Sequence, residues 1–545
     1  MSVMIADTSH ARLRGLRSIL PSARHFFRTE TVVFLTFWLL LMVGGRSRLF
    51  KDPGSLWHIV VGEQILSSGQ LPHRDSFSHT CAGQPFIAQW WLGECALALF
   101  HRIGGLDGIL LFTVTIQALF LTWLAYRFLR VGVHPLLAFL FTGLAFLGIA
   151  FHFHPRPHLV TILLMGWTFA RLCDFEAGRA SLRSLSWLVP LYVFWTNVHG
   201  GMVGGVATMA LALAGWSLAQ WLRWPTPLRS QRDVLLFGGL LLACALTAYV
   251  NPYSAELPQV WFALFRSPLL PTLIEEHAPL LTKYVGWFEV LLAVVYVAAL
   301  LGVAPKRIRV TWLIPLVWFY LAWGRSRHGP LFAVTATLAL ADMVPHIRWV
   351  HWLALRGSDI CRLNPAQAAA RQRFGWGPVL AAGVLLATGW TLQAAGVPVP
   401  VLGRGWVKLD PQQWPTELLP ELQDYERTHG PGTPVFNDML FGGFLIYHTP
   451  GLRIFIDDRC ELYGDERLVT YAHALFEDPS AIEAWRQQYH FELALVVPES
   501  QFDHYLQNSK KWFAVRRTQA AVLYITHPDG GTVMAARSET VGSSD

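Results

Sequence analysis

Residues 31–45 read TVVFLTFWLLLMVGG, and residues 46–66 continue RSRLFKDPGSLWHIVVGEQIL. The first segment has no charged side chain, and an apolar helix of about this length can cross most of the hydrocarbon core of a bilayer. Five arginines precede it, and Arg46 follows it without the small-residue cleavage site of a signal peptide. The two segments therefore predict an uncleaved first membrane span and a polar segment beyond it.

The composition of the whole chain extends this prediction. Of 545 residues, 53% are hydrophobic and only 14% are charged, against about 25% charged in an ordinary soluble domain. The apolar residues come in long blocks, which excludes a soluble enzyme with one core and also an outer-membrane barrel with alternating strands. The net charge is +7, but the basic residues lie between apolar blocks, where they orient spans, so no nucleic-acid partner is predicted. The six cysteines show neither disulfide nor metal-ligand spacing.

About eleven apolar runs are long enough to predict membrane spans. They lie near 31–46, 108–128, 135–151, 159–173, 185–197, 202–222, 234–250, 286–303, 310–323, 328–344 and 375–396. With residues 1–30 as a cytoplasmic basic N-terminus, the inside segments hold 21 lysines and arginines and the outside loops hold ten, as the positive-inside rule requires. The membrane domain then covers 31–396, with a long first external loop at 46–107.

An odd number of spans places the rest of the chain outside the cytoplasm. Strand-like runs at 433–436, 452–457, 491–497 and 520–526 alternate with helical stretches, which predicts an extracytoplasmic α/β domain over 397–526. The Gly- and Ser-rich tail, 527–545, is expected to be disordered. The predicted fold class is therefore an α-helical polytopic membrane protein with a C-terminal extracytoplasmic α/β domain.

Unusual polar residues concentrate in the predicted external loops. The first loop contains a helix-like stretch with apolar residues at 56, 57, 60, 61 and 65, which predicts a helix along the membrane surface that starts after Asp52 and Pro53. Four shorter stretches follow, FHFHPRPH (151–158), TNVHGG (196–201), IEEHAP (274–279) and GRSRHGP (324–330). A charged side chain at membrane depth costs roughly 2.5–3.5 kcal/mol, so these loops together predict a water-accessible cavity.

This arrangement resembles the GT-C superfamily of membrane glycosyltransferases, which includes oligosaccharyltransferases, protein O-mannosyltransferases and the aminoarabinose transferases of lipid A. The motifs that carry the resemblance are DPGSLWHIVVGEQIL, LPHRDSFSHT, QWWLGE, RPHL, NVHGG, NPYS and VFNDMLFGGFLIY with RIFIDDRCELYGDE. It implies a GT-C-like fold, a polyprenyl-linked sugar donor and an essential Asp directly after the first span, which is Asp52 here. Relatives carry paired acids in the second external loop, whereas FHFHPRPH has no carboxylate. The resemblance therefore leaves open whether a divalent cation, Mg²⁺ or Mn²⁺, takes part, and the metal ligands are unknown.

Three acids are candidate catalytic residues. Asp52 is predicted to be the general base that takes the acceptor's proton, with helix capping as the alternative. Asp75 is a candidate second acid or metal ligand, although Asp before Ser also marks a turn. Glu94 follows two tryptophans, where an interfacial acid without a catalytic role is the alternative.

Histidines and arginines supply the candidate substrate-binding residues, because guanidinium groups hold phosphate by paired hydrogen bonds. The alternative for the arginines is contact with lipid headgroups. The candidates are His58, His154, Arg156, His158, His199, Arg325, Arg327 and His328 in the membrane domain, and Asp458 and Arg459 in the C-terminal domain. Asp458 and Arg459 follow a predicted strand, where they are candidates for acceptor recognition or for a structural ion pair.

The sequence thus predicts a glycosyltransferase of the bacterial cytoplasmic membrane. It would transfer a sugar from a polyprenyl-linked donor to an extracytoplasmic glycan, lipid or protein, with membrane lipids around it. Two alternatives remain, a transporter or flippase of a lipid-linked substrate and a non-catalytic assembly protein. A transporter usually has polar residues in the middle of its spans, whereas the predicted spans have nearly apolar centres and place their polar groups outside.

Overall fold

The computed structural model describes residues 28–268, 270, 274–282 and 286–526. The described chain forms two units, one of residues 28–75, 83–410 and 459–465, and a second of residues 76–82, 411–458 and 466–526. The predicted tail and residues 1–27 of the predicted N-terminus lie outside the described residues.

The first unit is helical. Its α-helices are α1 (Thr29–Gly45), α2 (Gly54–Ser68), α3 (Trp91–Leu129), α4 (Pro135–Ile149), α5 (His158–Glu176), α6 (Leu188–Val198), α7 (Met202–Trp221), α8 (Gln231–Leu246), α9 (Glu256–Arg266), α10 (Gly286–Gly302), α11 (Ile314–Gly324), α12 (Gly329–Met343), α13 (Arg348–Leu355), α14 (Pro365–Ala370) and α15 (Trp376–Ala394). Each of the eleven apolar runs in the sequence coincides with one of these helices.

Six helices in the described part of the chain are long and apolar enough to cross a membrane, namely Trp91–Leu129, Pro135–His152, His158–Glu176, Met202–Trp221, Gln231–Tyr249 and Trp376–Ala394. Thr29–Gly45, Gly286–Gly302 and Val310–Gly324 are shorter apolar helices. These helices make the first unit a helical membrane domain, and the number of eleven spans stays a prediction.

The predicted external loop contains two helical pieces that pack closely together. The helix α3 begins at Trp91, well before residue 107, and is interrupted at Gly104 and Gly105, where Gly105 has a φ of 60°. A Cβ added at Gly62 in α2 would lie 2.0 Å from the carbonyl oxygen of Glu94 in α3, so only glycine allows this approach. Because α2 packs into the protein in this way, its buried set is wider than the predicted apolar face and includes His58.

The second unit contains a four-stranded mixed sheet, with strands β1 (Phe436–Asn437), β2 (Leu493–Val496), β3 (Trp512–Arg517) and β4 (Val522–Thr526). The strand order is β1-β2-β4-β3, where β1 and β2 are parallel and the other two pairs are antiparallel. The helices along this part of the chain are α16 (Leu419–His429), α17 (Gly442–His448), α18 (Cys460–Phe476, kinked at Gly464), α19 (Ala481–Tyr489) and α20 (Gln501–Asn508).

One predicted strand is not formed, and one strand of the sheet was not predicted. Residues 452–457 form only isolated bridges, from Arg453 to Pro434 and from Ile454 to Ser78, because Asn437 takes the backbone partners that a neighbouring strand would use. Its amide bonds the N–H of Phe455 and the carbonyl of Ile456 at 2.8 and 2.7 Å. The strand β3 was missed, since its sequence WFAVRR does not alternate and five of its six residues are exposed.

Candidate functional site

Asp52 and Arg156 form the centre of the candidate site. Asp52 lies between α1 and α2, and one carboxylate oxygen accepts the N–H of Gly54 at 2.8 Å. The other carboxylate oxygen accepts a hydrogen bond from Nη1 of Arg156 at 2.7 Å. The side chains are only 11% and 15% exposed, so this is a partly desolvated ion pair. Asp52 therefore makes the contact expected of the capping alternative, together with an ion pair to Arg156 that the sequence did not predict, and its role as the general base stays a prediction.

Arg156 also reaches a second acid that was not among the predicted site residues. Its Nη1 lies 3.5 Å from Oε1 of Glu276, and its guanidinium lies over the ring of Trp90. Gly93 allows this proximity, because a Cβ there would lie 2.8 Å from Pro157, the residue after Arg156. Arg156 thus interacts with two carboxylates, those of Asp52 and Glu276, at the N-terminal ends of α2, α3 and α5.

Glu276 belongs to a 3-10 turn, Glu275–His277, that packs beside the start of α12. Ser326 holds this turn by donating its N–H to the carbonyl of Ala278 and its hydroxyl to the carbonyl of Glu276, at 2.9 and 3.0 Å. Arg327 donates to Nε2 of His277 at 2.7 Å, which requires that nitrogen to be unprotonated. Burial opposes ionisation of Glu276, but the positive charge of Arg156 and its neighbours holds the pKa of Glu276 below its ordinary value.

His199 also packs against Trp90. The ring of His199 stacks on Trp90 at 5.7 Å, and its Nδ1 accepts the N–H of Gly201 at 2.9 Å. The hydroxyl of Thr161 lies 2.9 Å from the same nitrogen. Because a backbone N–H can only donate, Nδ1 must be the acceptor, and the neutral ring carries its proton on Nε2. Desolvation, and then the neighbouring imidazole and guanidinium groups, hold the pKa of His199 well below its usual range.

We call these residues the Asp52 cluster. Its members are Asp52, Trp90, Arg156, His199, Glu276, His277 and Arg327. His154 and His158 lie beside it, and each ring bonds a backbone carbonyl, of Leu49 and His152 respectively. The structure therefore brings Asp52, Arg156, His199 and Arg327 of the predicted residues together.

His58 and Glu94 form a separate buried pair behind Trp90. Their Nδ1 and Oε1 atoms are 2.9 Å apart, and both side chains are essentially unexposed. The ring of His58 also packs against Trp90, with the ring centroids 4.7 Å apart. Burial, and then the charge of Arg156, lower the pKa of His58 well below its ordinary value. The pair has the geometry of a support for Trp90 rather than of a surface that touches substrate.

Asp75 and Arg459 contact each other instead of the Asp52 cluster. Nη1 of Arg459 donates to Asp75 at 2.7 Å, and both side chains are fully buried. The guanidinium lies over the rings of Trp57 and Phe86. This geometry favours the structural ion pair that the sequence left open for Arg459, and its partner is Asp75, for which no ion pair was predicted. Asp458, the neighbour of Arg459 in sequence, is half-buried in the second unit.

The remaining two predicted residues lie at the ends of their helices. Arg325 packs its guanidinium over Phe265 at 5.8 Å, and the ring of His328 lies 5.9 Å from that of Trp318. These contacts hold both side chains against aromatic rings.

A shallow groove of about 630 Å³ includes Trp91, the chain neighbour of Trp90 in the Asp52 cluster. It lies between the start of α3, α6 and residues 249–252, and its lining is mostly apolar, with Phe194, Tyr249 and Val250 among the residues. Asn197 joins the groove to the cluster, because it accepts the indole N–H of Trp91 at 2.9 Å and lies two residues before His199.

The opposite, C-terminal ends of α3, α5 and α12 hold a second set of charges, which we call the Asp174 network. Its members are Arg127, Asp174, Arg179, Arg309 and Asp342. Arg127 bonds both oxygens of Asp174 at 2.9 and 3.0 Å, and Arg179 bridges Asp174 to Asp342 at 2.8 and 2.7 Å. The buried acids of this network, Asp174 and Asp342, were not among the unusual polar residues that the sequence indicated. Glu289, buried in α10, also departs from the predicted apolar spans.

The residues do not fit a divalent cation as they stand. Among the described residues there is no group of three or more His, Cys, Asp or Glu side chains placed to hold a metal ion. Asp52 is committed to Arg156, and Glu94 to His58.

Comparison with known proteins gives similarity in overall fold. No protein-family model and no curated protein sequence matches the chain. The chain is similar to the crystal structure of the oligosaccharyltransferase from Archaeoglobus fulgidus, with a TM-score of 0.49 and 12% identity over 86% of this chain and 69% of that one. It is also similar to ArnT from Cupriavidus metallidurans in the apo state, with a TM-score of 0.49 and 14% identity over 90% of this chain and 97% of that one.

The structure of ArnT bound to undecaprenyl phosphate gives a TM-score of 0.48 with 13% identity, over 91% of this chain and 97% of that one. At such identities no site residue or substrate carries over to this chain.

Proposed function

We propose that the protein is a membrane glycosyltransferase that transfers a sugar from a polyprenyl-linked donor to an extracytoplasmic acceptor. The observation that carries the proposal is the Asp52–Arg156 pair, in which a carboxylate and a phosphate-binding side chain share one partly exposed position. A general base and an anion-binding group at this spacing are what sugar transfer from a phosphate requires.

The chemistry assigns one role to each member of the pair. The oxygen of the acceptor's hydroxyl attacks the anomeric carbon of the sugar, and the bond from that carbon to the phosphate oxygen breaks. The phosphate keeps the bonding electron pair, and Arg156 stabilises its charge together with Arg327. The hydroxyl proton moves to Asp52, whose position is held by the N–H of Gly54.

The surroundings of the pair suit an amphiphilic donor. The aromatic face of Trp90 lies beside Arg156, and aromatic rings pack well against the apolar face of a sugar. The groove that includes Trp91 is lined mainly by apolar residues, which suits the hydrocarbon chain of the carrier. A charged headgroup and an apolar chain could thus bind side by side.

The side of the membrane that the Asp52 cluster faces follows from the same chemistry. Nucleotide sugars are confined to the cytoplasm, whereas a lipid-linked donor can reach a site open to the bilayer on the other face. We therefore infer that the Asp52 cluster faces away from the cytoplasm in a bacterial inner membrane, as the 21 to ten distribution of basic residues predicts. The acceptor is a glycan, lipid or protein on that face.

The experiment is a sugar-transfer assay on the purified protein in detergent, with polyprenyl-phosphate sugars as donors and membrane extracts as a source of acceptors. Asp52→Asn keeps the acceptor atom for the N–H of Gly54 but removes basicity. We expect transfer to fall by about 10²- to 10⁴-fold, while the melting temperature falls moderately, because the contact with Gly54 is retained but the ion pair with Arg156 is lost.

Asp233→Asn is the matched control. Asp233 also caps a helix, as part of the capping box at the start of α8, and it is half-buried. It should leave transfer unchanged. Transfer by the Asp52→Asn variant within a few-fold of wild type would reject Asp52 as the base and, with it, the observation on which the proposed function rests.

A further inference from the structure

We infer that Glu276 occupies, in the substrate-free protein, the place at Arg156 that the donor's phosphate takes, so that Glu276 and the phosphate bind there in alternation. The inference rests on the proposed function and adds a residue to it. Glu276 becomes the group that sets how tightly the site holds phosphate.

The two carboxylates at Arg156 are held unequally. Asp52 is 2.7 Å from Nη1 of Arg156 and is fixed by a second hydrogen bond to Gly54. Oε1 of Glu276 is 3.5 Å from the same nitrogen, which is too long for a good hydrogen bond. Its attraction to Arg156 is therefore mainly electrostatic, and Glu276 is the partner that an incoming anion displaces more easily.

The backbone of Glu276 is fixed, so displacement needs only a side-chain rotation. Its carbonyl accepts the hydroxyl of Ser326 at 3.0 Å, and the next residue, His277, accepts from Arg327. The carboxylate is attached to this anchored turn by a flexible stem and is 24% exposed. It can turn toward solvent without disturbing Arg327.

The balance of charges at Arg156 and Arg327 explains why Glu276 turns away as the phosphate enters. Asp52 and Glu276 together neutralise Arg156 and Arg327, so a phosphate added to this set would leave excess negative charge in a partly buried site. If Glu276 turns out to solvent as the phosphate enters, the balance is kept. A donor phosphodiester carries one negative charge, and the carrier phosphate left after transfer carries about −1.5 to −2. Return of Glu276 to Arg156 would then favour release of that product.

The test measures binding of undecaprenyl phosphate to the purified full-length protein in detergent, with Glu276→Gln as the variant. Removal of the competing charge should tighten binding by about fivefold, because one partly exposed ion pair no longer has to be broken. Arg156→Ala should weaken binding in the same assay. Glu256→Gln, which removes an exposed acid from α9, should leave the affinity unchanged.

The outcomes separate the inference from the proposed function. If Glu276→Gln binds the phosphate equally or more weakly while Arg156→Ala loses affinity, Glu276 is not a competitor and the inference fails alone. If Arg156→Ala binds as well as wild type, the phosphate site itself is refuted. Inorganic phosphate serves as a second probe, and a response to undecaprenyl phosphate but not to inorganic phosphate assigns the site to a lipid phosphate.

A measurement on the wild-type protein keeps the inference testable even if Glu276→Gln fails to fold. At pH 5 the phosphate carries about one negative charge, because its second pKa is about 6. Its exchange with Glu276 then replaces one ion pair by another, so the affinity for undecaprenyl phosphate should vary by less than about twofold between 50 and 300 mM salt. A steep loss of affinity with salt would overturn the exchange.

Discussion

The two ends of α3, α5 and α12 use the same residue types in different ways. In the Asp174 network each carboxylate is bound by two guanidinium groups, and Asp342 also accepts the indole N–H of Trp312 at 3.1 Å. In the Asp52 cluster a single nitrogen of Arg156 is shared by two carboxylates, one of them at 3.5 Å. A saturated network stabilises the fold, whereas a shared and partly exposed arginine can change partners, which is what a binding site needs.

The same contrast bears on the transporter alternative. Charges at both ends of a helix bundle would suit a path across the membrane, but those of the Asp174 network are satisfied by one another. A substrate would have to break buried ion pairs to bind there, at a cost of several kcal/mol. The comparison therefore favours one functional end and one structural end.

The largest expected effect lies at the structural end. Asp174→Ala leaves Arg127 and Arg179 without their shared carboxylate, and loss of one partner of a buried pair should lower the free energy of unfolding by about 3–5 kcal/mol. Denaturant unfolding in detergent measures it. Asp359→Ala is the control, because Asp359 pairs with Arg362 at 3.8 Å but is 88% exposed, and its loss should cost under about 1 kcal/mol. Equal losses for the two variants would remove the distinction between the ends.

A smaller effect is expected from pH at the functional end. Burial, and then the positive charge of Arg327, lower the pKa of His277 from 6.5 to about 3. Between these values the unfolded chain binds a proton that the folded protein does not, so stability falls as the pH drops below 6.5. His277→Gln removes this pH-dependent contribution to stability. Between pH 6.5 and 5 the wild-type protein should therefore lose about 1–2 kcal/mol more unfolding free energy than the variant.

The control for this pH prediction is His351→Gln, since His351 is exposed. Its unfolding free energy should follow the wild-type pH profile. Parallel profiles for wild type and His277→Gln would mean that His277 titrates in the folded protein as it does in the unfolded chain, and Arg327 would then lose its neutral partner in acid.

Local patterns in the sequence predicted local structure well. The apolar runs locate helices, and the stretch after Pro53 forms α2 as expected. Asp52 was singled out because it follows the first span and precedes a helix, and its charged partner, Arg156, was also among the predicted site residues. Features that three or four neighbouring residues specify, such as the start of a helix, could be predicted from the sequence alone.

The ion pairs could not be predicted from the sequence, because they join distant parts of the chain. Arg156 meets Asp52 from 104 residues away, and Arg459 meets Asp75 from 384 residues away, so no local spacing connects them. Glu276 lies in a loop whose acids are indistinguishable from solvated ones in sequence. The arginines of the Asp174 network fit the positive-inside rule, which explains their position but conceals that Arg127 and Arg179 are ion-paired.

The most direct test of the central claim is a cryo-electron microscopy structure of the protein in a nanodisc that contains undecaprenyl phosphate. The account predicts phosphate density within hydrogen-bond distance of Arg156, with Glu276 turned away and the Asp174 network unchanged. Phosphate density at Arg127 or Arg179, or an Asp52 cluster still closed by Glu276 at saturating lipid, would contradict it.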